Sequence, residues 1–476
     1  MRSRRLDSAE NRSARFTAGE IAHACAGELA AGDAATPACG VATDTRRTVR
    51  GRAFFALVGE RFDGHDYLGQ AVAAGARVLA VQHVPDGWRA PKGVAVVRVR
   101  RTACALLALA GHYRRSLRAR VVAITGSYGK STVKTMLGAI LAHAGRCTVA
   151  PASFNNRIGV ALSLLSARTD DDYVVLEMGT NHPGEIDELA AAARPDVGVV
   201  TAIGEVHLDG LGSLQGVVEA KAELIGHLNP AGTLVLNADD PRCLSMAPRF
   251  AGRIATYGTH PSADVAVTNV DRDGSGWAFE ALGRRCRLAS GACHDVLNAA
   301  GALCAAAALG VPAGQAALAG VARPPMRYER IELAGVTFIR DCYNSNPPAL
   351  RAALRSFLLE PAIGRRAVVC GDMLELGLHA GRLHRELGAD LAASGADIVA
   401  AVGQMALEFV AGWCTKARPG QRAFRFASAE EAWLPLWRQL RPGDMVLLKG
   451  SRALHLETIT DAIAAHLAQR RKEAVA

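Results

Sequence analysis

Residues 121–132 read Val-Val-Ala-Ile-Thr-Gly-Ser-Tyr-Gly-Lys-Ser-Thr. The apolar run Val121–Ile124 makes a buried strand, and Thr125-Gly126-Ser127-Tyr128-Gly129 then forms a glycine-bracketed turn leading to Lys130, Ser131 and Thr132. Beyond the turn, Val133, Met136, Leu137, Ile140 and Leu141 recur at helical spacing, so the turn opens an amphipathic helix. A strand, a glycine turn and a helix in this order build a seat for polyphosphate. The turn converges backbone N–H groups on an anion, and the helix presents the positive end of its dipole. A lysine adds a cation, and a hydroxyl can bind the Mg²⁺ that accompanies a nucleoside triphosphate. The turn is shorter than the usual phosphate loop, because Ile124 stands where that loop needs its first glycine.

Outward from this stretch, further buried runs alternate with helical patterns: Tyr173–Glu177, Val197–Thr201 and Thr233–Asn237. That alternation predicts an α/β fold with a largely parallel sheet covered by helices over 117–324. Before it, residues 1–116 mix short strands with Gly- and Asp-rich turns and end in the helical pattern Ala103–Tyr113. After it, Val336–Asp341, Ala367–Gly371, Ile398–Val402 and Met445–Lys449 predict a second α/β unit over 325–476. Arg323-Pro324-Pro325 reads as the hinge between the last two. Functional-looking polar residues fall at the carboxyl ends of these strands, where open α/β sheets place ligands.

A chain of 476 residues is too long for one core, which agrees with several domains. Half of it is hydrophobic and 21% charged, as in a globular protein, and no apolar run is long enough to span a bilayer. The alanine-rich run Ala299–Leu309 reads as a buried helix. Arg2, Arg4 and Arg5 are followed by Asp7, Glu10 and Arg12 rather than by the apolar core of a signal peptide, so a cytoplasmic protein is expected. Eleven scattered cysteines without a Cys-x-x-Cys pair point to free thiols, not to a disulfide framework or a zinc site. The net charge of +10 is carried partly by the tails (Arg470, Arg471 and Lys472 at the far end), with no basic stripe interleaved with aromatics. A phosphate-bearing small substrate therefore fits better than nucleic acid.

Four features around the phosphate turn carry chemistry. Glu177 ends a strand beside it, the usual place for a Mg²⁺ ligand. His207 follows the next strand, Lys221 lies on a helix between Glu219 and Glu223, and Asn155-Asn156 occupies a turn. Singly, each has a plainer reading: a helix-capping acid, a solvated loop histidine, a surface lysine. Together and in this order they resemble the Mur ligase family. The resemblance runs from about Val41 to Arg452 and is carried by TGSYGKST at 125–132, Phe154-Asn155-Asn156, EMGTNHPGEI at 177–186, Gly204-Glu205-Val206-His207-Leu208 and Ala220-Lys221-Ala222-Glu223. Asp44-Thr45-Arg46, Gly51–Leu57 and Phe62-Asp63-Gly64-His65 are similar to the family's uridine-nucleotide domain. Asp341-Cys342-Tyr343-Asn344-Ser345-Asn346-Pro347, Gly371–Gly377, His384 and Lys449–Arg452 are similar to its C-terminal motifs.

The resemblance implies three domains: an α/β domain for a UDP substrate, a central ATPase-like parallel-sheet domain and a Rossmann-like C-terminal domain. It implies an ATP-dependent amide ligase working through an acyl phosphate, and the 177–186 segment is similar to the member that adds D-alanyl-D-alanine to UDP-N-acetylmuramoyl-tripeptide. A paralogue joining a different amine or acid is the alternative. By resemblance, Thr125, Gly126, Ser127, Gly129, Lys130, Ser131 and Thr132 hold the phosphates, Asn298 faces adenine, and Arg327, Asp341, Tyr343 and Asn344 reach the nucleotide from the third domain. Ser131, Glu177 and His207 are implied Mg²⁺ ligands, and Lys221 an implied carbamate. Lys130, Lys221, His207 and Glu177 are thus the implied catalytic set, and Asp44, Arg46, His65, Asn155 and Asn156 the implied substrate contacts. A monomer without nucleic-acid partners or membrane insertion is expected. The chain departs from the family pattern with Ser131 for threonine, Asp295 for asparagine, Ala161 for proline and Met326 for glycine.

Overall fold

The computed structural model describes residues 14–311, 314–322 and 325–475. Seven parallel strands form the central sheet: β1 (Arg120–Thr125), β2 (Cys147–Val149), β3 (Tyr173–Glu177), β4 (Val197–Val200), β5 (Thr233–Asn237), β6 (Arg253–Gly258) and β7 (Val265–Ala266), in spatial order β7-β6-β5-β4-β1-β3-β2. After β3 the chain crosses back over β1 to start β4 on its other side. The crevice at the carboxyl ends of β1, β3 and β4 is therefore a topological switch point, where such sheets bind ligands.

The strands are continuously apolar because both faces are covered. Val121 and Ala123 of β1 pack with Leu106, Leu109, Val160, Leu164 and Leu189 on one side, while Val122 and Ile124 pack with Val133, Leu137, Ala299 and Leu303 on the other. The covering helices include α1 (Lys130–Ala142), α2 (Arg157–Ser166), α3 (Glu185–Ala193), α4 (Leu214–Ala222) and α5 (Asp295–Ala308). The helix read from the sequence at Ala103–Tyr113 spans Thr102–Arg114 and belongs to this cover: Tyr113 donates to the Ala167 carbonyl at 2.8 Å and Arg114 Nε to that of Ala193 at 2.8 Å. A five-stranded sheet precedes it within residues 28–98, and a three-stranded antiparallel sheet occupies residues 268–288.

The C-terminal sheet has six strands: β8 (Glu329–Leu333), β9 (Val336–Arg340), β10 (Arg366–Gly371), β11 (Ile398–Val402), β12 (Arg422–Phe426) and β13 (Met445–Lys449), ordered β8-β9-β13-β10-β11-β12. Only β8 runs antiparallel to its neighbour. Buried residues of this sheet (Ile339, Val368, Leu447) share one apolar cluster with Val200, Leu234 and Leu236 of the central sheet, so the two sheets are held together. Arg323 and Pro324 of the expected hinge lie outside the described residues. All eleven cysteines are free thiols, and among the described residues no helix is long and apolar enough to cross a membrane.

His384, on α6 (Ala380–Ala393), fixes the loop after β10. Its Nε2 accepts the Met373 N–H at 2.9 Å, its Nδ1 donates to the Ala380 carbonyl at 2.6 Å, and its ring meets Phe409 edge-on. His384→Ala is expected to cost roughly 2–4 kcal/mol, combining an unpaired backbone donor with a cavity. Burial holds the ring below the ordinary histidine value, so the unfolded chain takes up a proton that the folded one resists. The contribution of His384 is complete above the unfolded value of 6.5 and declines as pH falls below it. Denaturant unfolding at pH 7.5 and 5.5 checks both statements; an unchanged midpoint in the variant at pH 7.5 would refute the first.

Candidate active site

The turn after β1 explains its two glycines. Gly126 has φ +139° and a Cβ there would lie 2.1 Å from Thr201 Oγ1; Gly129 has φ +84° and a Cβ would lie 2.5 Å from Asn298 Oδ1. Only glycine lets the turn pass β4 and α5 this closely. Lys130 opens α1 and folds back to donate to the Gly126 carbonyl at 2.6 Å. Burial lowers its pKa, against the raising effect of Glu177, and Arg327 lowers it further. Ser131 Oγ donates to Glu177 Oε2 at 2.8 Å. The Thr125 side chain is fully buried and donates to the Met178 carbonyl at 2.9 Å, clamping β1 to the end of β3.

Glu177, 2% exposed, is the hub. Besides Ser131 it accepts from Asn155 Nδ2 at 3.1 Å and pairs with Lys134 Nζ at 3.1 Å. Burial alone would raise its pKa, but the Lys134 and Lys130 cations and the bonds from Ser131 and Lys134 outweigh that and hold it below the carboxylate value. A buried, ionised carboxylate beside a hydroxyl is a hard oxygen donor set that suits Mg²⁺.

The C-terminal part closes the cleft. Arg327 Nη2 donates to Ser131 Oγ at 3.1 Å, and its guanidinium lies 4.4 Å from the centre of the Tyr343 ring. The Tyr343 hydroxyl meets Ser153 Oγ across the same gap. Met326 and Tyr328, on either side of Arg327, both have left-handed backbones (φ +56° and +57°). That conformation is strained for L-residues, so both neighbours of Arg327 hold the backbone in a form that glycine would adopt more readily. Lys449 Nζ binds Asp341 Oδ2 at 3.2 Å and the carbonyls of Asp341 and Asn344 at 3.0 and 2.5 Å, holding that turn against the cleft. Asn298 lines the cleft with His294 and Asp295. Asp295 accepts from Asn298 Nδ2 at 3.1 Å and from the Ala292 N–H at 2.9 Å, so the acid in place of asparagine orients Asn298.

A second cavity, of about 470 Å³, is also lined by Lys130. Ser127, Lys130, Asn155 and Asn344 line both spaces. The second is completed by Asn156, Arg157, Thr180, Asn181, Glu185, Glu188 and His207. Asn156 also caps α2, accepting the Gly159 N–H at 2.9 Å. His207 (φ +51°) is bonded through Nδ1 to Glu375 of the C-terminal part rather than grouped with Glu177. That bond lowers the Glu375 pKa. Asp209 N–H donates to the Glu375 carbonyl at 3.2 Å, so the two parts touch here by backbone as well. Lys221 is 1% exposed, and nothing among the described residues hydrogen-bonds its amine. Its pKa is driven well down, first by burial and then by the Lys130 charge.

The expected uridine contacts lie elsewhere. Asp44 and Arg46 are bonded to each other at 2.9 Å, which pulls Asp44 to about 2, and neither lines the two cavities. His65 is 3% exposed, its Nδ1 is 2.5 Å from Asp63 and its Nε2 accepts the Gln82 N–H at 2.9 Å. With both nitrogens taken and His83 stacked on its ring, it shapes the loop from within.

Comparison with known proteins identifies the family. The Mur ligase family catalytic domain matches residues 39–114, the Mur ligase middle domain 124–306, and the glutamate ligase domain of Mur ligases 326–452. The UDP-N-acetylmuramoyl-tripeptide--D-alanyl-D-alanine ligase of Bacillus subtilis is 35% identical over 426 residues, covering 88% of this chain and 92% of that protein. The chain belongs to the Mur ligase family. Among solved Mur ligases, a UDP-N-acetylmuramoylalanyl-D-glutamyl-2,6-diaminopimelate--D-alanyl-D-alanyl ligase from Acinetobacter baumannii superposes with a TM-score of 0.79 at 31% identity, covering 95% of this chain and 99% of that one. MurF ligase from Thermotoga maritima, in complex with ADP, gives 0.79 at 27% identity, covering 90% and 98%.

In this Mur ligase, sequence reasoning missed Lys134, Glu375 and Asp295 as partners of site residues. Lys134 carried a signal: it stands four positions after Lys130 in α1, hence on the same helix face. Glu375 carried none, because its meeting with His207 depends on how two sheets pack.

Proposed function

We propose that this chain is an ATP-dependent ligase that adds D-alanyl-D-alanine to UDP-N-acetylmuramoyl-tripeptide, the activity its relatives are named for. The observation that carries the reading is that Lys130 lines both of two cavities: one built like a triphosphate seat, the other with room for a second substrate. In this reading the turn 126–131 cradles the phosphates, and Arg327, Tyr343, Asp341, Asn344 and Asn298 complete the nucleotide site. Thr132 lines it as well. The peptide's terminal carboxylate attacks the γ-phosphorus from the second cavity, giving an acyl phosphate and ADP. The dipeptide's amine then attacks the acyl carbon and phosphate leaves. Lys130 neutralises charge in flight and Arg327 holds the phosphate end, which is positioning and electrostatics rather than covalent catalysis.

Ser131 and Glu177 would hold Mg²⁺, with His207 at a second position once released from Glu375. The bound ion would supply charge neutralisation on the phosphates. Lys221 fits a carbamate, since its buried amine has no hydrogen-bond partner among the described residues and burial and the Lys130 charge both disfavour its protonated form, and the resulting anion would turn the repulsion from Lys130 into attraction. Asp44 and Arg46 would meet the UDP end. The same reading divides the chain at 1–116, 117–324 and 325–476, and places a monomer in the cytoplasm.

Phosphate release by the purified protein should require ATP, UDP-N-acetylmuramoyl-tripeptide and D-alanyl-D-alanine together, with a product heavier by one dipeptide; turnover without the tripeptide would refute the reading. Arg327→Ala is expected to raise the KM for ATP by about tenfold or more, the effect of losing one charged hydrogen-bonding partner. Its unfolding transition should stay near wild type. An unchanged KM would place the nucleotide elsewhere.

A further inference from the structure

The second cavity carries a feature that the ligation step does not use. Besides Lys130, Arg157 is the one side chain with a permanent positive charge among the described residues that line it. Arg157 Nε donates to Glu188 Oε2 at 2.8 Å, and Nη2 bonds the same oxygen. Both side chains are partly exposed and both line the cavity. The neighbouring acid, Glu185, is already committed: it accepts from the Asn181 and His182 N–H groups at 2.7 and 3.1 Å and from Thr180 Oγ1 at 3.0 Å. Glu188 has no described partner besides Arg157.

Arg157 is also an odd choice for helix stability. It is the first residue of α2, directly after the Asn156 cap, at the end of the helix dipole that favours acids. A cation there works against the helix, and an ion pair this exposed returns little. Its position on a substrate-sized cavity, beside an otherwise free carboxylate, gives it another use.

We propose that Arg157 and Glu188 select the third residue of the substrate peptide, taking a diaminopimelyl side chain in preference to a lysyl one. This deepens the ligase reading and rests on it. The carboxylate to be activated must lie at Lys130, so the same residue's side chain extends from there into the cavity that Arg157 lines. A diaminopimelyl side chain ends in an ammonium and a carboxylate on one carbon; a lysyl side chain ends in an ammonium alone. The guanidinium of Arg157 offers the carboxylate a planar pair of donors and Glu188 receives the ammonium. The charges then alternate around the ligand as they do in the free pair, so opening the Arg157–Glu188 contact leaves no buried charge unmatched. With a lysyl peptide Arg157 gains nothing.

The test compares kcat/KM for UDP-N-acetylmuramoyl-peptides ending in diaminopimelate and in lysine, using the full-length enzyme. Wild type is expected to favour the diaminopimelyl peptide by about tenfold or more, the usual worth of a charged hydrogen-bonding pair. Arg157→Gln should erase the preference, chiefly through the KM of the diaminopimelyl peptide, and Arg157→Lys should restore part of it. Glu188→Gln should weaken both peptides alike, since both carry the ammonium. Equal use of the two peptides by wild type, or a preference that survives in Arg157→Gln, would overturn the assignment. Failure of wild type to use either peptide would remove the ligase reading and the inference with it. Because the wild-type ratio needs no variant, misfolding of Arg157→Gln cannot rescue the proposal.

Discussion

Lys130→Ala is expected to lower kcat by about 10³-fold or more while leaving the fold intact, the scale on which preorganised charge acts in phosphoryl transfer. Lys130 is buried at the start of α1, its amine donates to the Gly126 carbonyl, and burial works against its charge. The folded enzyme thus holds a cation that Glu177 only partly compensates, and an arriving phosphate would supply the rest of the negative charge. Removing it relieves desolvation, so thermal unfolding should occur at or above the wild-type temperature. The Ser131–Glu177 bond and the Arg327 contact do not depend on Lys130, so ADP binding should remain measurable by calorimetry. Ligation within tenfold of wild type, with native-like unfolding, would refute the assigned role.

Lys221→Ala should also cost about 10²–10³-fold in kcat, on the scale of losing one electrostatic group from a site, but this loss should be partly reversible. The amine is 1% exposed, lacks a hydrogen-bond partner among the described residues and is pushed well below the lysine value. A neutral amine reacts with CO₂; a protonated one does not. The carbamate formed is an anion near Lys130, so the charge that disfavours protonated Lys221 favours the modified side chain. Formate or acetate should therefore restore part of the activity of the alanine variant, and the wild-type enzyme should lose activity in CO₂-depleted buffer and regain it with bicarbonate. No rescue, together with indifference to bicarbonate, would exclude the carbamate.

What could be read from the sequence followed burial. Strands Tyr173–Glu177, Thr233–Asn237, Ile398–Val402 and Met445–Lys449 fall where their apolar runs place them, because each is covered on both faces. Cys147–Val149 at one sheet edge and Arg422–Phe426 at another escaped, being short or carrying arginines toward solvent. The strands Thr268–Asp273 and Arg284–Leu288 are so charged on their outer face that they read as loop. In the site, Lys130, Ser131 and Glu177 were legible because local strand-to-helix geometry positions them. His65 was legible as part of a motif but not as a buried group, since Gln82 and His83 decide that from the bend after the strand Val78–Val81. Arg157 and Glu188 become a pair only when α2 and α3 pack side by side, so no local pattern announces them.

The most direct test of the account follows oxygen. UDP-N-acetylmuramoyl-tripeptide labelled with ¹⁸O in its terminal carboxylate is turned over with ATP and D-alanyl-D-alanine, and the released phosphate is analysed by mass. If the carboxylate in the second cavity attacks the phosphorus held beside Lys130, each phosphate carries one ¹⁸O atom. Unlabelled phosphate from a completed ligation would contradict the acyl-phosphate route, and with it the claim that Lys130 joins the two cavities into one active site.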